Sequence, residues 1–155
     1  MSIEQAIKQK KFKSPYQKLY VNLVYTANWL QHRSLQQFRP YGITPQQYNI
    51  LRILRGSAPQ PCSVRMLTER MLDKNSNASR LVDKLLEKAL VERKECPKDR
   101  RQVEVTITLK GQQLLVELDT FVDSQDNILA DISPEEAIRF SEVLDQMRLR
   151  AGAKE

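Results

Sequence analysis

Glycine, histidine and aromatic residues are all scarce here: four glycines, one histidine and 6% aromatics in 155 residues. So little glycine leaves few sites for tight hairpins, which favours helices. It also leaves no glycine-rich phosphate cradle and no nucleophile elbow, since GxGxxG, GxxxxGK[ST] and GxSxG are all missing from the sequence. A single histidine, His32, cannot form an HExxH pair. Cys62 and Cys96 lie far apart and form no CxxC, so with one histidine they cannot complete a zinc site. No metal and no cofactor are therefore expected. Catalysis needs a positioned nucleophile and base, metal ligands or a phosphate loop, and the expectation is that this chain is not an enzyme. No apolar run approaches the roughly 18 residues of a membrane span, and Met1–Ala6 lacks the apolar stretch of a secretory signal. The sequence thus predicts a cytoplasmic protein with reduced thiols and no membrane partner.

What is present is charge and helical periodicity. Hydrophobic residues make up 41% and charged residues 28%, a globular balance for one domain of ordinary size. The net charge of +6 suggests a polyanionic partner, with an ordinary basic surface as the other reading. Residues 1–13 are polar and basic, with Lys8, Lys10, Lys11 and Lys13 against Glu4, and read as a helical or frayed arm. Ser14-Pro15 is a cap followed by proline at the first helical position. Tyr16, Tyr20, Leu23, Ala27 and Leu30 then form the stripe of a long amphipathic helix ended by Pro40 and Gly42. Thr44-Pro45-Gln46-Gln47 starts a second helix with a capping box. Ser63 caps a short one carrying Val64, Leu67, Met71 and Leu72. After the polar turn Asp73-Lys74-Asn75, a helix over 76–88 places Ala78, Leu81, Val82, Leu85 and Leu86 on one face. Two short helices joined by a tight polar turn form a helix-turn-helix candidate.

The period then changes. Val103, Val105 and Ile107 alternate with Glu104 and Thr106, as in a strand, and Leu90 to Glu95 supplies an antiparallel partner. Between them Cys96-Pro97-Lys98-Asp99-Arg100-Arg101 reads as a very basic turn. Thr108 caps a long helix with Leu115, Leu118, Val122 and Leu129. Ser133-Pro134-Glu135-Glu136 starts a last helix whose buried stripe is expected to be Ala137, Phe140, Leu144 and Met147. The fold class is mostly helical with a small β-hairpin wing.

Charge is segregated along the chain. Residues 74–101 hold nine basic and five acidic side chains, whereas residues 109–147 hold nine acids against Lys110 and Arg139 alone. One phosphate-facing surface would produce this division. On the 76–88 helix, Ser76, Arg80, Asp83, Lys84 and Glu87 fall opposite the apolar stripe, and Asn75 and Asn77 stand at its start. Asn amides can read adenine edges and Arg can read guanine; a solvated helix face with ordinary caps would look the same. Lys98, Arg100 and Arg101 cluster on the hairpin tip, where a guanidinium can enter the minor groove. The candidate DNA contacts are Asn75, Ser76, Asn77, Ser79, Arg80, Lys84, Lys98, Arg100 and Arg101.

The run Ser79-Arg80-Leu81-Val82-Asp83-Lys84-Leu85-Leu86-Glu87-Lys88-Ala89-Leu90-Val91-Glu92-Arg93, with Asp99-Arg100-Arg101 and Thr106-Ile107-Thr108-Leu109-Lys110-Gly111, resembles the MarR family of bacterial and archaeal regulators. The Asp-Arg-Arg wing and the strand-to-helix Ile-Thr-x-x-Gly are its most specific parts, and the likeness covers roughly residues 15 to 148. It implies a winged helix-turn-helix homodimer in which the first helix and the last two interleave across a two-fold axis. That divides the chain into an arm and dimerisation helix (1–42), a DNA-binding lobe (43–108) and C-terminal dimerisation helices (109–155). The 76–88 helix would enter the major groove, Arg100 and Arg101 would reach the minor groove, and Asp99 would orient them by a salt bridge. Two-fold symmetry implies a pseudo-palindromic operator on double-stranded DNA, with half-sites about 34 Å apart. Family members usually carry glycine after the recognition helix, where this chain has Ala89. The resemblance also implies repression relieved by a small anionic or aromatic effector, and Tyr25, Trp29, His32 and Arg33 on the first helix are candidate pocket residues, with core or dimer packing as the other reading of Tyr25 and Trp29. Cys62 reads as an inert thiol or as a redox sensor, and Cys96 as an exposed wing thiol. Two other functions remain open on the sequence: a winged-helix module docking an acidic protein, and a cysteine-based redox regulator.

Overall fold

Side-chain caps set most of the helix starts, and the computed structural model shows them formed. It describes residues 1–96, 99–122, 129 and 131–152, and within these the side chains of 95, 96, 99–102, 120–122 and 151 are not described. The basic arm contains a short helix, α1 (Ile3–Ala6), closed by a Ser2/Gln5 capping box, with Ile3 buried. Ser14 accepts from the Gln17 amide at the start of α2 (Pro15–Phe38). A 3-10 turn at Arg39–Tyr41 follows, and Gly42 closes it in the left-handed conformation (φ 66°), where glycine carries no Cβ penalty. Thr44 and Gln47 cap each other at the start of α3 (Pro45–Ser57).

The lobe core lies under α3. Ile50, Leu51 and Leu54 are fully or almost fully buried, as are Leu67, Met71, Val82, Leu85 and Val105. The helix α3 packs against α4 (Val64–Arg70), α5 (Ala78–Glu87) and the strand β3 (Asp99–Ile107). The sheet has three strands, in the order β1 (Cys62–Ser63), β3 (Asp99–Ile107), β2 (Val91–Cys96), all antiparallel. The short β1 adds to the expected hairpin: Cys62 pairs with Val105, and both side chains are fully buried. This makes Cys62 a packing residue, while the Cys96 side chain lies outside the described residues. The strands of the hairpin also extend further than the sequence suggests. Its strands run to Cys96 and resume at Asp99, and the register shifts between Glu95, opposite Val103, and Cys96, opposite Asp99. Arg100 to Gln102 therefore form an irregular stretch of β3 rather than part of a turn.

Thr108 starts α6 (Leu109–Val122), its hydroxyl oxygen accepting from the Gly111 amide. Leu115 and Leu118 are fully buried, but Leu129, expected on the same helix, lies beyond its end and is half exposed. The Ser133/Glu136 capping box opens α7 (Pro134–Gly152). The chain forms two compact units, Met1–Gln112 and Gln113–Glu155.

One expectation about packing fails. Phe140, Leu144 and Met147 of α7 are 60%, 38% and 43% exposed, and Ala137 is exposed as well. In α2 the stripe is likewise open, with Tyr16 83% and Tyr20 69% exposed. Helical periodicity reports that a face is apolar; it does not say which chain covers it. Among the described residues of this chain, these faces are left uncovered.

Candidate nucleic-acid interface

Helix α4, the segment 71–77 and α5 form the helix-turn-helix. The first helix is shorter than expected. Its last residue is Arg70; Met71, fully buried, turns to extended backbone as the C-cap, and Leu72 is 87% exposed outside the helix. The turn is held at both ends. Asn49 of α3 accepts the Leu72 amide through Oδ1 at 2.9 Å, and the Lys74 ammonium donates to the Glu69 carbonyl. Asp73 is the centre of the turn: Oδ1 accepts the Asn75 amide at 3.0 Å, and Oδ2 accepts the Ser76 hydroxyl at 2.8 Å. The Ser76 hydroxyl, then the Asn75 amide, holds the Asp73 carboxyl below the ordinary aspartate value.

The second helix begins at Ala78 rather than Ser76, because Asn77 is its cap, with Oδ1 accepting the Arg80 amide at 3.0 Å. Ala78, Val82 and Leu85 are buried, and Asn75, Asn77, Ser79, Arg80, Asp83, Lys84 and Glu87 are exposed on the open side and at the start of the helix. Ser76 is half-buried and committed to Asp73. Two charge pairs organise this face. Lys84 meets Glu87 at 2.9 Å, and Asp83 meets Arg93 of β2 at 3.2 Å, tying the helix to the wing. Both pairs are exposed and contribute little to stability, so their cations can exchange partners at small cost. Of the wing candidates, Lys98 lies outside the described residues. Asp99, Arg100 and Arg101 are placed on β3 by their backbone, and their side chains are not described.

The helix ends in a Schellman motif. The Ala89 amide donates to the Leu86 carbonyl at 2.8 Å and the Leu90 amide to the Leu85 carbonyl at 3.0 Å, with Ala89 left-handed at φ 55°. Alanine thus occupies the conformation that glycine would take most easily. The Ile-Thr-x-x-Gly motif is explained at the same place. A Cβ on Gly111 would lie 2.3 Å from the Leu90 carbonyl oxygen and 2.8 Å from Cγ1 of Ile107, so the start of α6 approaches the end of the recognition helix too closely for any side chain.

The four pocket candidates share one face of α2. Tyr25 is 42% and Trp29 46% exposed, His32 is exposed and Arg33 half-buried. An open, largely apolar groove of about 390 Å³ lies further along, lined by Leu35, Gln36, Arg39, Gly42, Ile43 and Thr44. It contains none of the four. Residues missed by sequence reasoning are Asn49, Lys88 and Lys110, whose roles depend on partners distant in sequence; Asp73 was legible only as part of a turn. Among the described residues, no cluster of His, Cys, Asp and Glu could hold a metal, and no helix is long and apolar enough to cross a membrane.

Comparison with known proteins matches this architecture. The family model for the MarR family matches residues 41–102, the lobe from the end of the 3-10 turn into the wing. The chain is 34% identical over 107 residues to the uncharacterized HTH-type transcriptional regulator YdgG of Bacillus subtilis, covering 67% of this chain and 68% of that protein. It is similar in structure to a MarR transcription factor from Planctomyces limnophilus, with a TM-score of 0.65, 30% identity, and coverage of 90% of this chain and 99% of the other. A cysteine-to-serine mutant of MarR from E. coli, solved in complex with operator DNA, shares the fold at TM-score 0.68 and 22% identity over 81% of this chain and 91% of that one. A winged helix-turn-helix with these motifs and relatives places the chain in the MarR family of transcription regulators.

Proposed function

We propose that this chain works as a homodimeric, sequence-specific binder of double-stranded DNA, a repressor in the bacterial or archaeal cytoplasm that acts by binding rather than by catalysis. The carrying observation is the open side of α5: Arg80 and Lys84 exposed opposite the core, with Asn75 and Ser79 nearby and the Asp99-Arg100-Arg101 strand in the adjoining wing. In this reading α5 enters the major groove, where Arg80 and the asparagine amides meet base edges, and Arg100 and Arg101 reach the minor groove. Asp99 orients them, and Lys84 and Lys98 contact phosphates. The α2 and α7 faces, apolar yet exposed in one chain, are covered by a second copy. This follows the division into an arm and helix (1–42), a lobe (43–108) and C-terminal helices (109–155). Two copies of α5 then address a pseudo-palindromic operator. Release is by a small anionic or aromatic effector, with Tyr25, Trp29, His32 and Arg33 as its candidate contacts.

The test is binding to genomic fragments followed by salt titration on the selected operator. The operator is expected to bind at least about a thousandfold tighter than random duplex, with affinity falling steeply in salt. Arg101→Ala should weaken operator and random duplex alike, whereas Arg80→Ala should relax preference at particular base pairs by about 1–3 kcal/mol. Equal affinity for all fragments would sink the regulator reading and favour an acidic protein as partner.

A further inference from the structure

Charge counting along the sequence places Lys88 in the basic segment 74–101 and Lys110 among the acids of 109–147, but the geometry brings the two lysines together. Lys88 is the C-cap of α5, half-buried, and its ammonium donates to the Gly42 carbonyl, at the end of the turn that follows α2. The approach is close: a Cβ on Gly42 would lie 3.5 Å from that nitrogen. The Lys110 ammonium, from the first turn of α6, donates to the Lys88 carbonyl at 2.9 Å. Beside it the Thr108 hydroxyl donates to the Ala89 carbonyl at 2.9 Å and the Thr108 amide to the Leu90 carbonyl at 3.1 Å. Three segments distant in sequence thus meet at the last turn of one short helix. Both ammonium groups sit on carbonyls at or beside a helix C-terminus, where positive charge is favoured.

We propose that Lys88 and Lys110 are positioning residues that set the angle of the recognition helix, and not phosphate contacts. The inference rests on the reading that α5 enters the major groove. A ten-residue helix is roughly 15 Å long, so a tilt of about 5° at its C-cap moves its other end by about 1.3 Å. Hydrogen bonds to base edges do not survive such a displacement, whereas contacts of flexible cations with phosphates do. Loosening the clamp therefore removes sequence discrimination while leaving the electrostatic attraction in place. The clamp also gives α2 a mechanical hold on the recognition helix, through the Gly42 carbonyl.

The decisive variant is Lys88→Met, which keeps the unbranched stem as far as Cε and removes the ammonium donor. Its preference for operator over random duplex should fall about tenfold, the worth of one good base contact, with the slope of log K against log salt unchanged. Lys88→Arg should restore the preference, and Lys110→Met should reproduce the loss. A slope reduced by about 0.9, with operator and random duplex weakened equally, would make Lys88 a phosphate contact and overturn the proposal; unchanged binding would also overturn it. Should Lys88→Met fail to unfold cooperatively in a thermal melt, Lys88→Gln is judged by the same pair of readings. Amide exchange separates this idea from the functional reading. In Lys88→Met the Ala89 and Leu90 amides should exchange about tenfold faster, with Ile50 unchanged. If the parent chain shows no operator preference, the DNA reading fails and exchange alone decides; unaltered exchange at Ala89 and Leu90 then rules the clamp out.

Discussion

At the scale of single residues, the boundary between α5 and β2 is where two substitutions act in opposite directions. Ala89 sits at φ 55°, where a Cβ crowds the following carbonyl at a cost of about 1 kcal/mol. Ala89→Gly removes that cost and keeps both Schellman hydrogen bonds, so it should raise stability by about 1 kcal/mol. Chemical denaturation would show this as a higher midpoint at unchanged m; a lower midpoint would mean that the Ala89 methyl packs usefully. Gly111 is the reverse case. Its missing side chain is required by the Leu90 carbonyl 2.3 Å from the site of a Cβ, and a backbone atom cannot rotate away as a side chain would. Gly111→Ala should therefore destabilise by about 2–3 kcal/mol, the range of an overpacked core. A melting temperature equal to the parent's would show that α6 can shift without loss.

At the scale of elements, what was legible depended on how local the cause is. Ser14, Thr44, Ser63, Thr108 and Ser133 all cap the helices expected of them, because a cap is decided within four residues. Strand β1 was not legible: two residues after a proline carry no periodicity, and only pairing with Val105 and Glu104 makes them a strand. The recognition helix was legible in its apolar face but not in its first residue, since Asn75, Ser76 and Asn77 are all plausible caps and the choice is made by Asp73. Its carboxylate takes the Asn75 amide and the Ser76 hydroxyl, which leaves Asn77 to cap. Asp73 should accordingly titrate below an ordinary aspartate, and Ser76→Ala, which removes the largest cause, should bring it back up. The sign is that of a depressed carboxyl. The turn's contribution is fully present above the unfolded-chain value and is lost as pH falls through the folded one. Carboxyl carbon NMR shifts followed against pH would measure it, and an Asp73 that titrates like a free aspartate in the parent would show that the turn is not held this way. Asn77 carries a related lesson. Because it caps α5, Asn77→Ala loses about 1 kcal/mol of stability before any loss of base contact, so its effect on DNA binding must be read against its melting curve.

At the scale of the whole molecule, the charge division and the apolar faces were both legible, but the covering partner was not, since a stripe does not say which surface it meets. The exposures decide what one chain leaves open. Phe140 is 60% exposed and Tyr20 69%, and aromatic side chains of this size are costly to leave in water, at roughly 1.5–3 kcal/mol each when burial is available. The same arithmetic predicts what a charge does there. Phe140→Glu places a carboxylate on a surface that is solvated in the lone 18.0 kDa chain, so the fold of each lobe should be unaffected. In a symmetric dimer it buries two unpaired charges at one interface, each costing several kcal/mol, and the dimer dissociation constant should rise by at least about a thousandfold. Sedimentation equilibrium should then find mostly monomer at micromolar concentration, against dimer for the parent. Operator affinity should collapse with it, because a monomer engages one half-site without the advantage of a linked second contact. A Phe140→Glu protein that remained dimeric and bound its operator normally would show that α7 meets its partner through another face; a parent chain that sedimented as a monomer would remove the two-fold arrangement on which a palindromic operator depends.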